Sequence, residues 1–352
     1  MIPHNKPTLP CGSDWLEVTA RLEPGWAADG PAVERFESRA SNVIGQPPGV
    51  AVCSGSMALQ LSLIALGIGP GTQVLVPSYC CAAVLNAVRL AGAEPVLFDC
   101  APRGFNPCPK DAARRKTSKT GAVIIAHLFG VPAAIQPFRD TAPLIVEDCA
   151  QSFGARGASQ PIGSEGDAAI TSFYATKVIT TGHGGLACAR NPQTAARLRD
   201  LTHYDNREDW EPRFACRMPE LSAALGMEQL DRLPQYLHRR RMISAYYDDA
   251  LSPCGWKGNN GDDGMWFRYT LRFPDATAAI QAFAELEVGA RRPVFRPLHR
   301  YFGTDADDFP GAEAAHREIV SLPIYPTLTD AQVETVAAAA LKVIRRGAGC
   351  RT

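Results

Sequence analysis

Lys177 and the residues around it carry the first chemistry that can be read from this chain. An apolar segment, Ala168 to Phe173, runs into a turn of small residues that holds Lys177. A glycine-rich bend (Gly182, Gly184, Gly185) then returns the chain into a second apolar segment, Leu186 to Ala189. The spacing predicts two buried strands joined by a tight loop. A lysine on such a loop is shielded from bulk water. Desolvation disfavours its ammonium form and frees the amine as a nucleophile, as a Schiff-base lysine requires. A lysine snorkelling out of the loop to solvent is the other reading of these residues.

Asp148 is the second group. Residues 144–148, Leu-Ile-Val-Glu-Asp, form an unbroken apolar run that ends in two carboxylates. Such a run predicts a parallel strand buried on both faces. Ligands of open α/β sheets bind beyond the carboxyl ends of these strands, where Asp148 falls. A buried aspartate there needs a cation or hydrogen-bond donors. The protonated ring nitrogen of pyridoxal phosphate, a cofactor that pairs a lysine Schiff base with an acid, meets that need. A helix cap after the strand is the structural alternative.

The third element is an anion site. Residues 51–66 read as a turn that opens a helix, with Gly67 as its stop. Ser54, Gly55 and Ser56 present backbone N–H groups and hydroxyls at the positive end of that helix.

Together with other blocks, these residues resemble the DegT/DnrJ/StrS group of fold-type I, pyridoxal-phosphate-dependent aminotransferases, often called sugar aminotransferases. The resemblance covers nearly the whole chain. It runs through Gly25-Trp26, Ser54-Gly55-Ser56-Met57, Val76-Pro77-Ser78-Tyr79 and His127-Leu128-Phe129-Gly130. It continues through Glu147-Asp148-Cys149-Ala150-Gln151, Ser172 to Lys177, Arg217-Met218-Pro219 and Ser321 to Pro326. By that resemblance Lys177 is the Schiff-base lysine and proton carrier, and Asp148 holds the pyridine nitrogen. Gln151 lies against the cofactor ring, while Ser172, Gly55 and Ser56, with Met57 beside them, bind the phosphate. The resemblance also implies an amino-acid donor (glutamate or glutamine), a keto sugar acceptor, generally nucleotide-linked, and a homodimer with shared sites. A helix-face glutamine and a strand-end cap are the structural alternatives for Gln151 and Ser172.

Three positions depart from the family pattern. Cys81 stands where an aromatic residue commonly covers the ring, so a smaller, polarizable thiol is expected there. Ala215 replaces the asparagine that reaches the neighbouring subunit's phosphate. His183 replaces the acid of a Gly-Glu-Gly-Gly block with a group that titrates near neutrality. With His183, Arg217 and His299 are the candidate substrate contacts; Arg217 either grips an anion as a planar fork or pairs with an acid such as Glu220. The departures leave open a related enzyme acting on a non-sugar ketone or catalysing another reaction. A non-catalytic regulatory protein of the same fold is the more distant alternative.

The elements that must position these groups follow from the rest of the chain. Helix and strand alternate from residue 50 to about 190, with strands at Gln73–Pro77, Pro95–Asp99 and Ala122–His127. That alternation predicts an α/β fold: a large domain with a mostly parallel sheet flanked by helices. A helix over Pro219–Leu230, a strand over 265–273, a helix over 276–288 and a last helix opened by the capping box Thr329 to Gln332 complete it. The expected division is a cofactor-binding domain over 1–240, with a lead-in segment, and a smaller C-terminal α+β domain over 241–352. Arg239-Arg240-Arg241 reads as a solvated helix face.

Composition narrows the function further. The 352 residues hold 36 basic and 36 acidic side chains, so nothing suggests nucleic acid or an anionic membrane as partner. The longest apolar runs are too short to span a bilayer, and the first residues lack a signal core. Eleven cysteines, none in a Cys-x-x-Cys pair, read as reduced core residues of a cytoplasmic protein with no metal site.

Overall fold

The computed structural model describes residues 1–157, 160–256 and 265–346. Strands β1 (Val50–Val52), β2 (Gln73–Pro77), β3 (Glu94–Phe98), β4 (Thr120–Ala126) and β5 (Leu144–Asp148) come first. A short ribbon, β6 (Arg156–Gly157) and β7 (Gln160–Pro161), separates them from β8 (Ala168–Ser172) and β9 (Gly185–Ala189). Seven strands form one sheet in the order β1-β9-β8-β5-β4-β2-β3. From β8 to β3 every pairing is parallel; β9 runs against both β8 and β1. All five residues of β8 and of β9 are buried, as their unbroken apolar sequences require.

Two reversals leave β1 pointing with the parallel strands. The carboxyl ends of β1, β2, β4, β5 and β8 therefore open on one edge of the sheet. Ser54, Ser78, His127, Asp148 and Ser172 all stand at or just beyond that edge, where an α/β sheet binds its ligands. The sequence places the site by this rule before any side chain is considered.

Helices α1 (Asp14–Thr19), α2 (Pro31–Val43), α3 (Gly55–Ala65), α4 (Ala82–Leu90), α5 (Pro109–Arg115) and α6 (Pro192–Asp200) cover the sheet. The strands alternate their sides: Ile124 and Val146 pack with α3 and α4, whereas Val123, Ile125 and Ile145 pack with Phe98 and Phe138 on the other face. Next comes α7 (Glu220–Leu251), which is far longer than the Pro219–Leu230 helix predicted from the sequence. Pro234 removes one backbone donor inside it. Packing on either side outweighs that loss: Leu233 and Tyr236 join α2 in one core, and Ile243, Tyr247 and Leu251 join another.

That further core gathers β10 (Tyr269–Arg272), α8 (Ala276–Glu285), β11 (Ile319–Leu322) and α10 (Asp330–Arg345), whereas α9 (Pro310–Glu318) turns Ala312 and Ala315 into the core that α3 and α4 share with the large sheet. β10 and β11 pair antiparallel, and α10 begins with the Thr329–Gln332 capping box. Two sequence expectations change here. The strand predicted over 265–273 is confined to Tyr269–Arg272, because Met265 and Arg268 donate their N–H groups to Gly130 and Phe129 of the large sheet's loops. Arg240 is buried, not solvated, and its guanidinium donates to the carbonyls of Trp266, Phe267 and Ile324. The chain folding back over α7 turns an apparently outer face into an inner one. Among the described residues no helix is long and apolar enough to cross a membrane.

Candidate active site

At the carboxyl edge of the sheet lies a cavity of about 320 Å³ lined by Ser54, Gly55, Cys81, Asp148, Ser172 and Lys177, among others. Its floor is built by close backbone approach. Ser54 caps α3, its hydroxyl accepting the N–H of Met57 at 3.1 Å. A side chain added at Gly55 would stand 2.7 Å from the Cβ of Ser172, and one added at Gly185 would strike the carbonyl of Ser54. Glycine at both positions lets the α3 turn nest between the starts of two strand loops. The free N–H groups of the first α3 turn and the Ser172 hydroxyl then face one anion-sized cradle.

Glu147 and Asp148 leave β5 with opposite fates. Glu147 accepts from His127 Nε2 at 2.9 Å, from the N–H groups of Gly163 at 3.0 Å, Glu165 at 2.8 Å and Gly166 at 2.5 Å. Those partners outweigh burial and hold its carboxyl below the usual glutamate range. Among the described residues Asp148 accepts only the N–H of Ala150, at 2.9 Å. Burial therefore pushes its carboxyl upward, against the pull of that N–H, of Lys177 and of His127. A carboxylate this short of donors, lining a cavity, is built to meet a ligand's cation or N–H.

Lys177 sits on the loop between β8 and β9, which is closed by Phe173 N–H to the Gly184 carbonyl (2.9 Å) and Thr181 N–H to the Phe173 carbonyl (3.0 Å). Gly182 takes a left-handed φ of 78° to complete the bend. Burial pushes the Lys177 amine below the ordinary lysine range, only partly offset by Asp148 and Cys81. Its Nζ stands 5.6 Å from the centre of the Phe267 ring. The amine is thus shielded, as the sequence of the loop suggests.

The other sequence candidates divide. Gln151 lines the cavity, and its Oε1 accepts the N–H of Phe129 at 3.2 Å. Cys81 lines it from the start of α4, and His183 is exposed at the mouth, its ring set edge-on to Tyr174 at 4.9 Å. Ser56 lines it; Met57 does not, and packs toward the core behind α3. Arg217 lies outside the lining and pairs with Asp29, while Glu220 receives the N–H groups of Gly30, Ala32 and Val33 at the start of α2. His299 is fully buried away from the cavity, where Ser78 Oγ lies 2.7 Å from Nδ1 and Glu313 Oε1 lies 2.8 Å from Nε2. With both ring nitrogens engaged it has no edge left for a substrate. Tyr174, Thr176 and His127 also line the cavity. Of these, His127 has both nitrogens satisfied, by Glu147 and by the Ala133 N–H.

The DegT/DnrJ/EryC1/StrS aminotransferase family matches residues 13–341. The chain belongs to that family. It is similar to the GDP-perosamine synthase of Caulobacter vibrioides, at 34% identity over 95% of this chain and 96% of that one. Among solved structures it resembles the aminotransferase TlmJ of Streptoalloteichus hindustanus, with 29% identity, a TM-score of 0.90, and 98% and 99% of the two chains covered. It also resembles the PLP form of Spr1654 from Streptococcus pneumoniae, with 27% identity, a TM-score of 0.87, and 97% and 99% covered. The family's fold-type I architecture is the one described above, and its cofactor is pyridoxal 5′-phosphate. The residues present fit it: an anion-sized cradle at α3, a donor-poor carboxylate at Asp148, and an amine at Lys177 that burial holds below the ordinary lysine range.

Proposed function

We propose that this aminotransferase moves an amino group from an amino acid, glutamate or glutamine, to a keto sugar carried on a nucleotide. The observation that carries the reading is the pairing of the desolvated Lys177 with the donor-poor Asp148 across one cavity. The similarity to a GDP-perosamine synthase supports a nucleotide-linked sugar as acceptor. When bound, pyridoxal phosphate supplies an electron sink and carries the amino group between the two substrates. Ser172, Gly55 and Ser56 would hold its phosphate, Asp148 would take its ring nitrogen, and Gln151 and Cys81 would border its ring. Lys177 would hold it, and its amine is the group placed to carry a proton at the substrate carbon. His183 at the mouth faces the acceptor. The Ser54 cap and the glycines at 55 and 185 keep the cradle rigid, so little order is lost on binding.

Replacing Lys177 by alanine tests this. Lys177→Ala protein should retain no cofactor after borohydride reduction and should lose at least about ten-thousand-fold in turnover, as nucleophile and base vanish together. Undiminished turnover in that variant would overturn the assignment.

The same reading includes two domains, 1–240 and 241–352, that share α7, and a homodimer. Hydrogen exchange giving both cores one common opening free energy would argue against the division. Trp210, 88% exposed beside Tyr204 on the loop before Ala215, supports a second copy covering that loop. A monomer in sedimentation at assay concentration would remove this part.

A further inference from the structure

Phe267 is the centre of a group of three cations, of which Lys177 has Asp148 nearby while neither arginine has an ion pair among the described residues. Arg268 Cζ lies 4.6 Å from its ring centre, Lys177 Nζ 5.6 Å and Arg240 Cζ 5.9 Å. Arg240 is occupied by the carbonyls of Trp266, Phe267 and Ile324. Arg268, by contrast, makes no ion pair or side-chain hydrogen bond among the described residues, and its only contact of note is the Phe267 face. Arg291 is in the same position, tied to Ser321 through backbone bonds alone. His4 lies beside both arginines, with Nε2 3.0 Å from Ser321 Oγ, and the next residue, Asn5, donates to the carbonyl of Thr176 at 3.1 Å. The N-terminal segment thus ties this group to the loop that carries Lys177.

The electrostatics agree with the geometry. Burial, then the charges of Arg268 and Arg291, push the His4 imidazole down to about 3. Burial and Arg291 push Arg268 down to about 10. Guanidinium groups crowded in this way repel one another until an anion sits among them.

We propose that Arg268, with Arg291 at its rim, is the binding site for a carboxylate of the amino donor. The proposal rests on the aminotransferase reading and extends it to the first substrate. Arg268 lies over an aromatic face, which holds its planar fork ready for a bidentate carboxylate. Lys177 marks where the donor's nitrogen reacts, and in an α-amino acid the carboxylate is only two bonds from that nitrogen. The diphosphate of a nucleotide sugar is separated from its keto carbon by the sugar ring. A guanidinium that shares one phenyl ring with Lys177 is therefore placed for the amino acid.

The test uses full-length, cofactor-free protein titrated calorimetrically with glutarate and, separately, with inorganic pyrophosphate. Arg268→Gln should weaken glutarate about 10- to 100-fold, the loss of one charge-assisted pair, and leave pyrophosphate unchanged. In the loaded enzyme the donor KM should rise by a similar factor while the acceptor KM stays constant. Unchanged glutarate affinity, or a loss that falls on pyrophosphate alone, overturns the proposal. Should Arg268→Gln fail to fold, Arg268→Lys keeps the charge without the fork; several-fold weaker glutarate is then expected, and undiminished affinity overturns it. Glutarate binding through Arg268 in a protein that never transaminates would remove the aminotransferase reading and leave the anion site standing.

Discussion

Glu147 and Asp148 are neighbours on β5, yet they face different worlds. Glu147 is buried with four hydrogen-bond donors around it, three of them backbone N–H groups from one turn. Among the described residues Asp148 has one donor, and a cavity lies in front of it. Because strand residues alternate sides, a single step along the chain separates a carboxylate used to fix the 163–166 turn from one kept hungry for a ligand. The difference teaches that burial alone does not mark a functional acid. What marks it is burial without enough partners.

The largest expected contrast is in activity. Asp148→Asn keeps the shape and the Ala150 contact but removes the charge that would hold the cofactor's ring nitrogen. Turnover should fall about 100- to 10,000-fold, with melting of the cofactor-free protein unchanged or slightly raised. Glu147→Gln should do the reverse. An amide among donors that suit a carboxylate leaves a buried N–H unpaired, so stability should drop by about 3 kcal/mol or more, while material that folds keeps its catalytic groups. Denaturant titration of both variants beside single-turnover assays makes the comparison. Equal stability losses in the two would erase the distinction between them.

The pH dependence sharpens the same contrast, because the two signs are opposite. The Glu147 carboxyl is held below its ordinary value of 4.5, so its stabilisation is present above that value and is lost as pH falls through the lower folded one. The Asp148 carboxyl is raised above 3.8, so burying its charge costs stability above the folded value and nothing below 3.8. In cofactor-free protein the deficit of Glu147→Gln should shrink on acidification. Any advantage of Asp148→Asn should also fade in acid, since at low pH the wild type carries the protonated acid as well. An Asp148→Asn advantage that grows toward low pH would contradict the assigned shift.

Much of this was legible in the sequence, and the reason is local. Lys177 and Asp148 lie at the ends of apolar runs that can only be buried strands, and the sheet rule then brings them to one edge. Ser54 and Gly55 announce themselves as a helix start. The arginines were not legible. Arg240 looks like one of three on a polar helix face, and only the return of the chain at residues 266 and 324 buries it. Arg217 meets Asp29, and His299 meets Ser78, across separations no local pattern encodes. Arg268 hides in an apparent strand; the bond of its N–H to the Phe129 carbonyl is what ties that stretch to the loop after β4. Charged side chains have long reach and no periodic signature, so their partners are set by the finished fold.

The smallest effect tests whether the donor-count argument extends beyond buried acids. Thr329 serves backbone N–H groups as Glu147 does, accepting from Gln332 at 3.3 Å, but its cap on α10 is exposed to water. Water can replace a lost acceptor there, which the interior around Glu147 does not allow. Thr329→Ala should therefore cost only about 1 kcal/mol, with kcat/KM unchanged because the buried face of α10 lies, among the described residues, in the C-terminal core. A loss as large as that of Glu147→Gln would mean that the number of donors, and not their separation from solvent, governs how tightly this fold depends on an acceptor.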